Sequence, residues 1–312
     1  MNQPELMERR PAVGLISLDN ILFATDFSSS SFAALPHAVA VARRYGSKVF
    51  LAHAVQPHPY PLVSGETITY LDELLQGAEK ELKDLSQSPL LKDIEHETLL
   101  GHGEIIEVLA RFIAGRRVDL VITGTHGRRG FRRFFLGSVA EEIFRTSPCP
   151  VLTVGPHVPH EAQQKMTLHH VLFPTDLSLE SLAAVRYALS FAVEYAARLT
   201  ILHVMQDSVR GPAWQAAKIC YDKMQALIPD EVRPWCEADC LVETGDRAET
   251  ILKIAKERQA DLIALGLQKA SALATHRMSN IAYRLVTEAA CPVLTVRDGF
   301  SQSPGSTKAA QN

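Results

Sequence analysis

Short apolar runs alternate with longer amphipathic stretches along the first half of the chain. Residues 20–25 (NILFAT) and 48–55 (KVFLAHAV) are apolar runs of strand length, which predicts two buried strands. Between them, apolar residues recur at helical spacing over residues 32–42, which predicts a helix. The alternation continues to residue 154 and predicts the strands IEHETLL, DLVITG and PVLTV and the helices 66–87, EIIEVLARFIAG and VAEEIFRT.

This alternation predicts a five-stranded parallel sheet that helices cover on both faces. In open sheets of this kind, ligands bind beyond the carboxyl ends of the strands, where the strand order reverses. Asp26 follows the first predicted strand, and Gly124 ends the fourth. We therefore expect a ligand site at this edge of the sheet.

Local signals mark the ends of the first predicted helix. The serines at 28–31 offer side-chain oxygens to the free N–H groups of a helix start, and Gly46 can end the helix in a left-handed conformation. Pro36 does not suit a helix interior, and we expect it to kink this helix.

The chain contains this pattern twice. Residues 21–55 and 171–205 are identical at twelve of 35 positions at an offset of 150. Further on, VDLVITG (118–124) matches ADLIALG (260–266), and CPVLTV occurs at 149–154 and 291–296, at an offset of 142. We therefore expect two tandem doubly wound α/β domains, with a shorter middle in the second.

The expected boundaries follow from the two matches. Residues 18–156 and 169–298 would form the two domains, joined by a polar linker over 157–168, and disorder is expected for 1–17 and 299–312.

A loop rich in glycine and arginine follows the fourth predicted strand. The stretch 124–143, GTHGRRGFRRFFLGSVAEEI, carries four glycines and four arginines before a helix begins. Glycines admit a ligand close to the backbone, a helix start presents free N–H groups, and arginines neutralise phosphate. The alternative is a plain turn with solvated arginines, and neither GxxxxGK[ST] nor GxGxxG occurs in the chain.

Three motifs together resemble the universal stress protein family. They are the spacing G-x2-G-x9-G-[ST] at 124–138, a strand followed by Thr25-Asp26 and serines, and the closing CPVLTV. The resemblance covers 20–155 and 169–298. Two such domains in one chain resemble the tandem members of that family. It implies a Rossmann-like fold of the adenine nucleotide alpha hydrolase type.

The resemblance also implies a site for ATP or a related adenine nucleotide, with or without Mg²⁺, in the first domain. Asp26 matches the acidic residue that contacts the adenosine, with Ala24 and Thr25 beside it. Ala54 or Val55 matches the position that packs on adenine. The remaining implied residues belong to the loop around ribose and phosphates and to the helix that follows: Gly124, Thr125, His126, Gly127, Arg128, Gly137, Ser138 and Val139.

The second copy departs from this motif. Lys269 stands at the position of Gly127, Ser279 at that of Gly137 and Asn280 at that of Ser138. These side chains would obstruct close approach to the backbone, although Lys269, His276 and Arg277 could still attract an anion. We expect a weak or absent second site, with Asp176 as a relic or a helix cap.

Composition narrows the remaining possibilities. A formal net charge of -3 favours neither nucleic acid nor an anionic membrane as a partner. The polar start lacks a secretory signal, so a cytoplasmic location is the expectation. The five cysteines suit no disulfide framework or zinc spacing; Cys149 and Cys291 read as buried apolar residues.

The leading interpretation is a nucleotide-binding regulatory protein of the stress response with little or no turnover. Its expected partners are an adenine nucleotide, an unidentified protein, and the other repeat, through pairing of the last strands, with further homodimerisation. His102 and His126 read as polar surface residues rather than bases, and His53 and His203 as structural. The alternatives are a slow ATPase or adenylyl-transfer enzyme, and a nucleotide-free scaffold.

Overall fold

A computed structural model describes residues 16–56, 66–125, 138–159, 167–206, 213–267 and 280–297. The terminal segments for which disorder is expected lie almost wholly outside these ranges. So do the central residues of the expected linker and the residues 126–137 of the glycine loop.

The first repeat has the predicted order of elements. Its strands are β1 (Asn20–Ala24), β2 (Lys48–Val55), β3 (His96–His102), β4 (Leu120–Gly124) and β5 (Val151–Val154). Its described helices are α1 (Ser29–Phe32), α2 (Leu35–Tyr45), α3 (Glu66–Ser86), α4 (Ile105–Arg116) and α5 (Ser138–Thr146). The third strand lies two residues later than predicted.

The sheet of the first repeat runs in the order β3-β2-β1-β4-β5, with every neighbouring pair parallel. Three consecutive residues of β1, Ile21, Leu22 and Phe23, are fully buried, so both faces of the sheet are covered. The doubly wound α/β fold expected from the sequence is confirmed. The strand order reverses between β1 and β4, where Ala24 lies opposite Thr123.

The second repeat begins with the same order. Its strands are β6 (His170–Pro174), β7 (Arg198–Met205), β8 (Ala238–Thr244), β9 (Leu262–Leu267) and β10 (Val293–Arg297). Its described helices are α6 (Leu179–Leu182), α7 (Val185–Tyr195), α8 (Ala213–Gln225), α9 (Arg247–Glu257) and α10 (Asn280–Glu288). Strands β8, β7, β6 and β9 form neighbouring parallel pairs in that order.

Contacts divide the chain into two compact units whose bounds differ from those of the repeats. One unit contains the described residues between 17 and 159 together with 280–295. The other contains residue 16, the described residues between 167 and 267, and 296–297. Within the first unit β10 pairs antiparallel with β5, with Val293 opposite Thr153. The last strands of the two repeats therefore pair, as expected.

The first predicted helix is broken rather than kinked, and proline is not the cause. α1 ends at Phe32 and α2 begins at Leu35, which places Pro36 in the first turn, where its missing N–H costs nothing. The second repeat breaks at the same place, between α6 and α7, with Arg186 at the position of Pro36. Gly46 ends α2 with φ of 70°, as predicted.

The buried cysteines behave as predicted from their surroundings. Cys149 and Cys291 are 4% and 5% exposed. Burial raises the pKa of the Cys149 thiol to about 11, against a smaller opposing effect of its hydrogen bond with Ser147. Cys149 is therefore a protonated, apolar core residue at neutral pH.

The α2 helix carries a buried histidine in the core of the first unit. His37 is 1% exposed, and α2 packs on β1, β2 and β4. Burial lowers its pKa from 6.5 to about 4, although a hydrogen bond with the Ala33 backbone opposes the shift. His37 is therefore neutral in the folded protein at neutral pH.

Acidification should destabilise the protein through His37. Because the folded-state pKa lies below the unfolded value, this contribution is complete above pH 6.5 and is lost as the pH falls towards 4. Between pH 7 and pH 5 we expect a loss of about 2 kcal/mol in the free energy of unfolding. Urea unfolding at both pH values measures it. His37→Gln should remove this loss, whereas His169→Gln, at an exposed histidine, should retain it. Equal pH dependence of all three proteins would contradict the assignment.

Among the described helices, none combines the length and the apolar composition that crossing a bilayer requires.

Candidate functional site

The candidate site lies at the carboxyl ends of β1, β2 and β4. Ala24 lies beside Ala52 on one side and Thr123 on the other, so the residues that follow these strands meet at the reversal of strand order. Of the predicted site residues, this edge brings together Ala24, Thr25, Asp26, Ala54, Val55, Gly124 and Thr125. This is the position at which sheets of this class bind ligands.

The residues at this edge differ in their exposure. Ala24, Thr25, Val55 and Thr125 are buried, the last at 1% exposed, and they form the floor. Asp26 and Ala54 are partly buried and remain accessible to a ligand. An accessible carboxylate can accept hydrogen bonds from the hydroxyl groups of a ligand.

The turn after β1 is held by side-chain hydroxyl groups. The Phe27 N–H donates to Thr25 Oγ1 at 2.9 Å, and the Thr25 hydroxyl lies 2.9 Å from Ser31 Oγ. The Ser31 hydroxyl donates to the Ser28 carbonyl at 2.9 Å, so the Thr25 hydroxyl is the donor towards Ser31. These bonds hold Phe27 at φ of 61° and bring α1 back over the sheet.

Asp26 and Ser28 complete the start of α1. The Ser28 N–H donates to Asp26 Oδ1 at 3.0 Å, and Ser28 Oγ accepts from the Ser31 N–H as an N-cap. One carboxylate oxygen of Asp26 is therefore used in shaping the turn.

The second repeat builds the same turn. Thr175, Asp176, Ser178 and Ser181 make matching bonds, and Leu177 has φ of 64°. The TD-and-serine motif therefore has a structural function in both repeats, whether or not a nucleotide binds. Asp176 is not the helix cap expected as one alternative: Ser178 caps α6, and Asp176 accepts the Ser178 N–H at 3.0 Å and so supports the residue that caps.

His53 and His203 support the same turns. Each donates from Nδ1 to a threonine carbonyl oxygen: His53 to Thr25 at 2.8 Å, and His203 to Thr175 at 2.9 Å. The His53 ring also lies against Phe27, with centroids 4.4 Å apart. The structural function predicted for both histidines is confirmed. Phe27 was not predicted as a site neighbour. The comparison of the repeats draws attention to identical positions, and the second repeat has Leu177 at this one.

Gly124 has a structural reason to be glycine. A Cβ atom there would lie far inside van der Waals contact of the Ser30 carbonyl oxygen and 3.0 Å from Ser31 Cα, since α1 passes directly over it. The matching Gly266 is crowded by the backbone of Glu180 and Ser181 in the same way. This explains why the first motif glycine is kept in the second repeat. Neither glycine has a positive φ.

The remaining predicted residues of the first loop divide into two groups. His126, Gly127, Arg128 and Gly137 lie outside the described residues. Ser138 is the first residue of α5. Val139 packs, partly buried, against the core cluster that contains Leu109 and Ile143, so its packing is that of a helix core residue.

A charged residue distinguishes the site edge of the second repeat. α9 begins at Arg247, where α4 of the first repeat begins at Ile105. Burial acts to raise the pKa of Asp176, but hydrogen bonds from Ser178 and Ser181 and the charge of Arg247 outweigh it, so the pKa is lowered. Ile105 instead packs against the core. This difference was not predicted, since it becomes visible in the sequence only when the two helix starts are aligned.

Glycines after β3 and β8 also shape the edge. Gly103 and Gly245 have φ of 121° and 135°, a conformation that suits glycine. Their N–H groups donate to the carbonyl oxygens of Val55 and Met205 at 3.0 and 3.1 Å. These turns direct α4 and α9 back from the edge. Their recurrence in both repeats was a signal available in the sequence.

Comparison with known proteins adds to these observations. The sequence profile described as the universal stress protein family matches twice, over residues 17–155 and 167–297. A universal stress protein from Methanocaldococcus jannaschii is 33% identical over 141 residues, which are 43% of this chain and 80% of that protein. The crystal structure of a universal stress protein from Archaeoglobus fulgidus matches 91% of this chain and all of its own, with 21% identity and a TM-score of 0.70.

The two profile matches cover both strand–helix repeats, and each covers the hydroxyl-bonded turn that ends its first strand. The chain belongs to the universal stress protein family, as a member with two tandem domains.

Proposed function

We propose that the first repeat binds ATP or a related adenine nucleotide, with little or no turnover, and that the bound nucleotide regulates a partner in the stress response. The observation that carries the proposal is the place of the motif in the fold. The G-x2-G-x9-G-S spacing begins at Gly124, where β4 ends at the reversal of strand order, one strand from the Asp26 turn. A nucleotide there would have its adenosine at the ends of β1 and β2 and its phosphates at the loop.

The second repeat supports the proposal by contrast. It keeps the hydroxyl-bonded turn and the crowded Gly266, which serve the fold. It lacks the later motif glycines and begins α9 with Arg247 near Asp176. The features that the second repeat lacks are the ones to which we assign contact with the nucleotide. We therefore propose one bound nucleotide per chain.

The residue types available near the motif favour a regulatory protein over an enzyme. An efficient phosphoryl-transfer enzyme uses a metal-holding carboxylate, a placed base and a charge clamp. The sequence supplies clear candidates only for the clamp, the arginines of the loop.

The test begins with the purified chain. Denaturation followed by mass spectrometry identifies any nucleotide that travels with it, and calorimetry on stripped protein compares ATP, ADP, AMP and adenosine. cAMP is included in the panel because one solved universal stress protein is a cAMP complex. We expect one adenine nucleotide per chain and phosphate release slower than about one per second. Absence of binding by the whole panel would favour a scaffold, and faster release would favour an enzyme.

Removal of the loop arginines should separate phosphate from adenosine recognition. Replacing Arg128, Arg129, Arg132 and Arg133 by alanine removes the counter-charge offered to a polyphosphate. We expect ATP binding to weaken by at least about tenfold and adenosine binding by less than about twofold, because charge-assisted bonds act on the phosphates alone. Calorimetry with both ligands measures this. An equal loss for ATP and adenosine would show that these side chains do not bind phosphate.

A further inference from the structure

A small polar cleft lies at the opposite edge of the second repeat, where the strands begin. Its volume is about 80 Å³, which leaves room for several water molecules or one small solute. The buried members of its lining are His170 and Thr200, which are 2% and 0% exposed and lie 2.8 Å apart through Nε2 and Oγ1. The residues that line the cleft are His170, Arg198, Thr200, Glu237, Asp239 and Arg258.

The groups at the back of the cleft already have partners within the protein. His170 Nδ1 lies 2.8 Å from the carbonyl oxygen of Arg258, and Thr200 Oγ1 lies 2.6 Å from Asp239 Oδ1. Arg258 Nη1 donates to Asp239 Oδ2 at 2.8 Å. These bonds fix the shape of the cleft. The Arg258 side chain is still 39% exposed, so its other N–H groups remain accessible.

Two opposite charges on the outer side of the cleft have no such partners. Arg198 is the first residue of β7, Glu237 directly precedes β8, and both are exposed. The pairing of Leu199 with Ala238 makes them neighbours across the two strands. Within the described part of the chain, neither the Arg198 guanidinium nor the Glu237 carboxylate makes a hydrogen bond or an ion pair. One group of each charge is therefore available to a ligand.

The first repeat has the same charges at the matching positions, but there they are paired. Lys48 lies 3.5 Å from Glu95 and 3.1 Å from Glu97, and Arg116 lies 2.6 Å from Glu97. Phe50 stands at the position of Thr200, with its ring centroid 5.3 Å from Lys48 Nζ and 5.8 Å from Arg116 Cζ. Threonine is smaller than phenylalanine, so the second repeat has a cleft where the first has a ring. The matching residues, in the order Arg198, Glu237, Asp239 and Arg258, are Lys48, Glu95, Glu97 and Arg116.

The charges of the lining select the kind of ligand. Two guanidinium groups and two carboxylates surround the cleft. A phosphate would meet both carboxylates, and a polyamine would meet both guanidinium groups. A molecule that carries one carboxylate and one ammonium group offers a charge-assisted partner to Arg198 and to Glu237 at the same time.

We propose that this cleft binds a small zwitterion of the α-amino acid class, with its carboxylate on Arg198 and its ammonium group on Glu237. Neighbouring strands lie about 4.8 Å apart, a spacing that a carboxylate and an ammonium group on one carbon atom can bridge. The small Thr200 side chain leaves the space that the molecule occupies. The cleft lies at the strand starts, at the opposite edge from the proposed nucleotide site, and does not depend on it.

Binding is measured on the full chain by titrating each of the common protein amino acids separately, with calorimetry and saturation-transfer NMR. We expect at least one of them to bind. Its methyl ester lacks the carboxylate and its N-acetyl derivative lacks the ammonium group, so each should bind at least about tenfold more weakly. The proposal is overturned if no amino acid binds at millimolar concentration, or if the ester or the N-acetyl derivative binds as well as the parent.

A variant that copies the first repeat locates the site. Thr200→Phe combined with His170→Asn places a ring in the cleft, as Phe50 does beside Asn20 in the first repeat. This variant should lose binding of the amino acid, because the ring takes its place. Undiminished binding would show that the amino acid binds elsewhere and would refute the assignment.

Two exposed substitutions keep the test decisive if the cleft-filling variant does not fold. Arg198→Gln and Glu237→Gln each remove one charged contact, and each should weaken binding at least about tenfold. Urea unfolding should show little change for either, since both side chains are exposed and without partners among the described residues. The matched control is Glu95→Gln at the equivalent position of the first repeat, which should bind as the wild type does. Wild-type affinity in both Arg198→Gln and Glu237→Gln, or an equal loss in Glu95→Gln, would overturn the proposal.

Discussion

Gly124→Ala should destabilise the first unit by about 4 kcal/mol, at the upper end of the range for single substitutions. The added methyl group meets the Ser30 carbonyl oxygen and Ser31 Cα, which are backbone atoms of α1 and cannot rotate away. The short helix α1 must then shift, and the hydroxyl bonds of the turn after β1 would be lost with it. Urea unfolding monitored by far-UV circular dichroism measures the loss.

Two matched substitutions test this explanation. Gly266→Ala should be comparably destabilising, because α6 crowds Gly266 in the same way. Gly115→Ala lies near the end of α4 with nothing within 4 Å of the new methyl group, and it should stabilise by about 0.5–1 kcal/mol. A mild effect at Gly124, similar to that at Gly115, would show that α1 adapts easily.

Gly127→Lys should abolish nucleotide binding while the fold survives. The substitution copies Lys269 of the second repeat, so the family fold already accepts lysine at this position. We expect affinity for ATP to fall at least about a thousandfold, equivalent to about 4 kcal/mol, because a side chain would occupy the place where phosphate approaches the backbone. Calorimetry measures the affinity, and urea unfolding should show little change.

Gly130→Lys is the control, since it places the same side chain in the same loop outside the motif spacing. It should retain ATP binding. If Gly127→Lys binds ATP as the wild type does, or if Gly130→Lys loses binding to the same extent, the motif does not define the site.

The two motif glycines three residues apart therefore have different expected functions. Gly124 is required by α1, as Gly266 is by α6, whereas Gly127 is present only where a nucleotide is proposed. Loss of binding in a Gly124 variant would not identify a ligand contact, because the substitution destabilises the fold as well. Substitutions at Gly127 test the ligand.

Much of the fold could be predicted from the sequence because the strands are buried on both faces. Such strands are continuous apolar runs, and β1, β2, β4 and β5 were found within one residue of their observed ends. β3 was misplaced because Leu99 alone among its residues is buried and the others are partly buried or exposed, which leaves its ends without a sharp apolar boundary. The duplication supplied an independent check on the elements within the matched stretches 21–55, 118–124 and 149–154.

The break between α1 and α2 could not be predicted from propensity. The hydroxyl groups of Thr25, Ser28 and Ser31 hold the start of α1, whereas the break follows at Ala33 and Ala34, which make no side-chain cap bond. Pro36 was the conspicuous local signal, and it misled because it lies in the first turn of a new helix, where proline is tolerated. The hydrogen bonds of His170 with Thr200 and with the Arg258 carbonyl oxygen were likewise hidden, since the partners are up to 88 residues apart in the sequence.

The position of the candidate site in the fold could be predicted from the sequence, but the functions of its residues could be predicted only in part. Sheet topology alone places Asp26 and Gly124 at the reversal of strand order. The sequence could not show that a carboxylate oxygen of Asp26 is used in its own turn, or that Gly124 lies beneath α1. Both are local backbone effects that become visible only when the chain is folded.

The pairing of β10 with β5 has a consequence for fragments of this protein. A piece cut after the first repeat would retain the apolar strand β5 but lose its antiparallel neighbour, including the bond from Thr295 Oγ1 to the Val151 carbonyl. An unpaired apolar edge strand of this kind can form hydrogen bonds with strands of other chains. We expect the isolated first repeat to self-associate unless a strand from another polypeptide pairs with β5.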